Sequence, residues 1–130
     1  MRYIGYVVNS PDEIPASAAP NSLWREGYEY YRTERGAHPR STNRYRFTSF
    51  DKMFEYTAFD HVDWISPRPL LLIAGSAADT LYLSQDAYNM AREPRELFII
   101  KGATHIDLYD KEQYVPGVVD KLTDFYGKHL

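Results

Sequence analysis

Two short apolar runs constrain this chain more than anything else in it: Leu70-Leu71-Leu72-Ile73-Ala74 and Leu97-Phe98-Ile99-Ile100. Pro67 and Pro69 stand before the first and Pro94 before the second. Unbroken apolar runs of this length predict strands covered on both faces, as in a parallel sheet. Between them Ser84 suits a helix cap, Ala87, Met90 and Ala91 a buried helical face, and Pro94 a stop. From about Tyr114 to His129, the residues Val115, Val118, Val119, Leu122, Phe125 and Tyr126 mark a terminal amphipathic helix. Strand, helix, strand, helix predicts an α/β fold. Its core is a short parallel sheet, with strands at about 70–74 and 96–100, flanked by helices.

The first half is less regular. Tyr3 to Val8 is β-prone, and the three prolines between residues 9 and 21 predict a linker or extended loop. Ser22 suits an N-cap, and Trp24, Tyr28 and Tyr31 recur at helical spacing, so a helix is expected to run toward Gly36. Residues 37–48 carry Arg40, Arg44 and Arg46 and predict a surface loop. Phe50, Met53 and Phe54 predict a short helix capped by Ser49. The expectation is one domain over residues 1–130, with a linker and helical segment over 1–66 and the strand–helix unit over 67–130.

Composition narrows the function. With no cysteine in 130 residues, there is no disulfide framework, Cys-ligated zinc, iron–sulfur cluster or thiol nucleophile. The same absence fits a reducing cytoplasm. A net charge of -3 does not predict a basic face for nucleic acid or anionic lipid. The longest apolar run is far too short to span a membrane, and the stretch from Met1 to Val8 lacks a secretion signal. Gly-x-Gly-x-x-Gly and a P-loop are absent, so no nucleotide cofactor is expected. His38, His61 and His129 lack ligand spacing, so no metal is expected either. Twelve tyrosines suit a pocket lining or an interface, and a packed core with its rim equally well.

In open α/β sheets the chemistry lies in loops at the carboxyl ends of the strands. Here those loops are Gly75 to Thr80 and Lys101 to Asp107. If the strands are parallel neighbours, Asp79 and His105 emerge on one edge, with about 3 Å between carboxylate and imidazole. A carboxylate facing an imidazole is the orienting half of a Ser-His-Asp triad: the acid fixes the tautomer and the imidazole moves the proton. Taken singly, Asp79 also suits a turn or helix cap, and His105 an ordinary loop position. His105-Ile106-Asp107 holds two potential metal ligands, without a third at suitable spacing.

The segments Pro69–Thr80, Ala87-Tyr88 and Pro94–Asp110 resemble the C-terminal end of an α/β-hydrolase, in the dienelactone-hydrolase-like branch. Tyr30-Tyr31-Arg32-Thr33, Arg35-Gly36, His38-Pro39-Arg40-Ser41 and Asn43-Arg44 resemble the cap-forming segment of that branch. The resemblance spans about residues 22–130. It implies a partial α/β-hydrolase fold, ester or acyl hydrolysis, Asp79 as triad acid and His105 as triad base. Two departures stand out. Asp79 lies four residues after Gly75, where many hydrolases have three. The Gly-x-Ser-x-Gly elbow that carries the nucleophile is absent from these residues.

Three functions follow as expectations. One is a hydrolase fragment or split subunit, inactive alone and complemented by an N-terminal half that brings the serine. Another is a non-catalytic module that binds a partner or itself, and a homo-oligomer is expected because two strands would leave sheet edges open. A small-molecule carrier has only the tyrosines in its favour.

Overall fold

The computed structural model describes residues 2–130; Met1, the first residue of the amino-terminal stretch considered above, lies outside them. The chain divides into two compact units, Met1–Thr57 and Ala58–Leu130. The division falls ahead of the boundary at residue 66 that the sequence suggests within a single domain.

In the first unit, β1 (Tyr3–Ile4) pairs antiparallel with β2 (Tyr45–Arg46). The β-prone stretch thus gives two strand residues rather than six, and its partner comes from the segment expected to be loop. A 3-10 turn at Pro11–Glu13 interrupts the proline-rich stretch. Helix α1 (Leu23–Tyr31) follows Ser22, but the Ser22 hydroxyl makes no capping bond. The helix ends at Tyr31, well before Gly36, with the Arg32 N–H closing the last turn onto Tyr28 O. Its buried residue is Gly27, whose missing side chain lets Val7 approach closely. Trp24 and Tyr31, expected on the inner face, are exposed. A 3-10 turn at Phe47–Ser49 leads into α2 (Phe50–Phe54), where Ser49 again makes no side-chain cap.

The second unit carries the expected core. After a 3-10 turn at Val62–Ile65 come β3 (Leu70–Gly75), α3 (Leu81–Met90), β4 (Arg95–Ile100), α4 (Asp107–Asp110) and α5 (Val115–His129). Strands β3 and β4 are parallel, in register from Leu70 opposite Arg95 to Gly75 opposite Ile100. Helix α3 begins earlier than Ser84 predicts, because Thr80 stands at its cap position. Ala87 and Ala91 are buried as expected, whereas Met90 is half exposed. Strand β4 does not alternate: Glu96 and Ile99, three residues apart and so on opposite faces, are exposed, and neither face is fully covered. Glu96 is held instead by an ion pair to Lys121 of α5, and the Lys121 ammonium also lies 5.3 Å from the centre of the Phe98 ring. Lys121 thereby ties α5 to β4 with its apolar stem against the sheet.

The tightest packing is at the carboxyl edge of the sheet, where Ala103 is 0% and Ile106 1% exposed. Ile106 is the largest fully buried side chain among the described residues. Ile106→Val removes one methylene from this packing and is expected to lower unfolding free energy by about 1 kcal/mol, measured by urea denaturation. Among the described residues no helix is long and apolar enough to cross a membrane.

Candidate active site

The site grows from the two loops that leave β3 and β4 on the same edge. They are stitched together by backbone bonds: Ser76 N donates to Ile100 O at 2.9 Å, and Ala77 N donates to Ala103 O at 2.9 Å. The Ser76 hydroxyl accepts from Gly102 N at 2.8 Å. Gly102 has φ +81°, a left-handed conformation natural to glycine, and this turns the chain out of β4 toward Ser76. Gly75 lies so close to the opposite loop that a β-carbon there would sit 2.1 Å from Ala103 O. Only a residue without a side chain fits that crossing.

His105 projects from the second loop, where its neighbours hold it in place. Thr104 N donates to the Asp107 carboxylate at 3.2 Å, and Asp107 N donates to the Thr104 hydroxyl at 3.3 Å. This reciprocal pair has the pattern of a capping box and fixes the turn that carries His105 into α4. Asp107 is thus engaged in the turn. No cluster of three potential ligands occurs among the described residues.

The imidazole lies between two hydroxyls. Nδ1 is 2.7 Å from Thr80 Oγ1, and Nε2 is 2.9 Å from the Tyr109 hydroxyl. Both hydroxyls can donate or accept, so either ring nitrogen can carry the proton. Asp79, exposed, stands next to Thr80 in the turn that opens α3. The topology therefore brings the two expected residues to one edge, while the described bond at Nδ1 comes from Thr80. Thr80 and Tyr109 escaped the sequence analysis. Tyr109 follows His105 at i+4, a spacing that juxtaposes side chains on a helical turn.

Beside the imidazole is a cavity of about 380 Å³. Ile73, Leu83, Leu108 and Val118 give it apolar walls, and Thr80, Ser84, His105 and Tyr109 give it polar groups. An apolar pocket with a few convergent polar groups is the usual form of a small-molecule site. An imidazole held at Nδ1 by Thr80, and exchanging the Tyr109 hydroxyl at Nε2 for a hydroxyl brought to it, can act as a general base.

The chain is 41% identical over 106 residues to the uncharacterized protein PA2218 of Pseudomonas aeruginosa, covering 79% of this chain and 28% of that protein. It is 31% identical over 126 residues to the uncharacterized protein YcjY of Escherichia coli K12, covering 96% of this chain and 41% of that protein. The chain thus spans well under half the length of these curated relatives. The crystal structure of PA2218 superposes with a TM-score of 0.80 at 37% identity, over 92% of this chain and 37% of the other. The crystal structure of the alpha/beta hydrolase GrgF from Penicillium sp. sh18 superposes with a TM-score of 0.68 at 22% identity, over 98% of this chain and 42% of the other. No protein-family model matches the chain. The architecture is α/β, with the short parallel sheet and flanking helices of a partial α/β-hydrolase fold.

Proposed function

We propose that the chain supplies the acid–base half of an α/β-hydrolase site of the ester or acyl class, in the dienelactone-hydrolase-like branch. In this reading His105 is the general base and Asp79 the orienting acid. Thr80 steadies the imidazole from Nδ1, and the Tyr109 hydroxyl holds the place at Nε2 that a nucleophile's hydroxyl takes during reaction. The serine and the oxyanion hole come from a segment outside these residues. The observation that carries the reading is the seating of His105 over an apolar cavity at the carboxyl edge of two parallel strands. The partial coverage of longer relatives supports it. So does the sheet, in which each of β3 and β4 has one neighbour among the described residues and offers its other edge for extension. The lack of cysteine suits a cytoplasmic setting.

A carboxylate and an imidazole without a nucleophile do not form a covalent intermediate. The isolated chain is therefore expected to show no turnover of p-nitrophenyl esters. Grafted into PA2218 in place of the matched region, it is expected to give ester hydrolysis that His105→Ala removes. A folded graft with no hydrolysis would reject the reading. If the isolated chain also sediments as a stable dimer, the free sheet edges serve self-association instead.

A further inference from the structure

A second cavity, of about 370 Å³, lies wholly within the first unit, and its chemistry differs from that of the His105 site. Arg32 and Arg44 line it together with Tyr6, Tyr31, Ser41 and Thr42; no acidic residue does.

Its frame is built by Asn43. This residue sits at φ +49°, in the left-handed region that asparagine tolerates. Its Oδ1 accepts from Tyr6 N at 2.8 Å and Val7 N at 3.0 Å. Its Nδ2 donates to Val7 O at 2.7 Å and Asn9 Oδ1 at 3.1 Å. The Asn43 amide is thereby saturated and clamps the amino-terminal arm against the segment carrying Ser41 to Arg44. Tyr6 is further braced by the Tyr45 ring, 4.7 Å between centroids.

Arg32, at the end of α1, is different. Its Nε is buried and has no hydrogen-bond partner among the described residues. Such a donor is unfavourable, and, sealed from solvent as it is, it gains an acceptor only if the wall around it shifts to admit one. The only charges lining the cavity are the two guanidiniums, so the acceptor that suits it best is an anion. Guanidinium geometry matches a carboxylate through paired N–H donors. The Tyr6 and Tyr31 rings and the Val7 side chain call for an apolar, planar body behind that carboxylate.

We propose that this cavity binds a small aromatic or similarly planar carboxylate, with Arg32 as its principal donor and Arg44 at the rim. The proposal does not rest on the hydrolase reading, since it concerns other residues and needs no catalysis.

The test uses the full chain with benzoate as probe, followed by NMR of the arginine Nε–Hε resonances and by isothermal titration calorimetry. Saturable binding is expected, with the Arg32 Nε–Hε resonance shifting most and neutral benzamide binding at least tenfold more weakly. Arg32→Lys keeps the charge but lacks the Nε donor and is expected to weaken benzoate about tenfold. Arg44→Gln gives a second readout if Arg32→Lys does not fold. Benzamide binding as well as benzoate, no saturable shift at Arg32, or tighter binding of inorganic phosphate than of benzoate would each overturn the proposal. Water alone as the partner of Arg32 Nε would appear as the second of these.

Discussion

Gly75→Ala is expected to lower the melting temperature by about 10 °C or more, since an added β-carbon meets a closer obstacle there than at any other described glycine. Its β-carbon would sit 2.1 Å from Ala103 O, 2.6 Å from Ala103 C and 2.8 Å from Thr104 O. All three are backbone atoms, so no side chain can swing aside. Either the end of β3 or the loop after β4 must move, and with it the bonds from Ser76 N to Ile100 O and Ala77 N to Ala103 O. Overpacking of this kind costs about 3 kcal/mol or more. The bond between Thr80 and His105 should be lost at the same time, visible as a change in the His105 ring resonances. Gly117→Ala is the matched control: in α5 its β-carbon meets nothing within 4 Å. Removing backbone freedom there is expected to stabilise the chain by about 0.5–1 kcal/mol. Equal melting temperatures for the two variants would refute the close approach of the loops.

A large effect on rate is expected from Asp79. In the graft into PA2218, Asp79→Asn should lower kcat by about 10⁴-fold, because a neutral amide neither selects the reactive tautomer nor stabilises the imidazolium. Thr80→Val removes a neutral hydrogen bond and should cost about tenfold. His105→Ala should be at least as severe as Asp79→Asn, and the Asp79→Asn/His105→Ala double variant no worse than His105→Ala alone, since the residues act as a unit. The reverse order, with Thr80→Val the more damaging, would assign the orienting role to Thr80. Both variants replace residues in one turn, so their melting temperatures should be compared before rates.

Parts of this arrangement were legible in the sequence because they rest on local chemistry. The two apolar runs with prolines before them announced β3 and β4, and parallel pairing placed the loops of Asp79 and His105 on one edge. What escaped depends on contacts between distant residues. Nothing near Thr80 states that its hydroxyl meets an imidazole twenty-five residues on. The pair of residues forming β2 is too short to carry a pattern and becomes a strand only by meeting Tyr3 and Ile4. The aromatic spacing points to the wrong face of α1, because its inner face is marked by Gly27, whose small size against Val7 has no periodic signature. An apolar run reads as buried, yet Ile99 is exposed, because covering that face takes a neighbouring element that the run itself does not reveal.

In the function proposed here His105, seated at Thr80, is the base of a hydrolase site whose nucleophile comes from outside these residues. Fluorophosphonate labelling, read by mass spectrometry, tests it most directly on the isolated chain, on the graft and on the graft carrying His105→Ala. No label is expected on the isolated chain, one labelled serine is expected in the PA2218-derived part of the graft, and that label should be lost with His105→Ala. A labelled serine in the isolated chain, or a graft that labels equally well without His105, would contradict it.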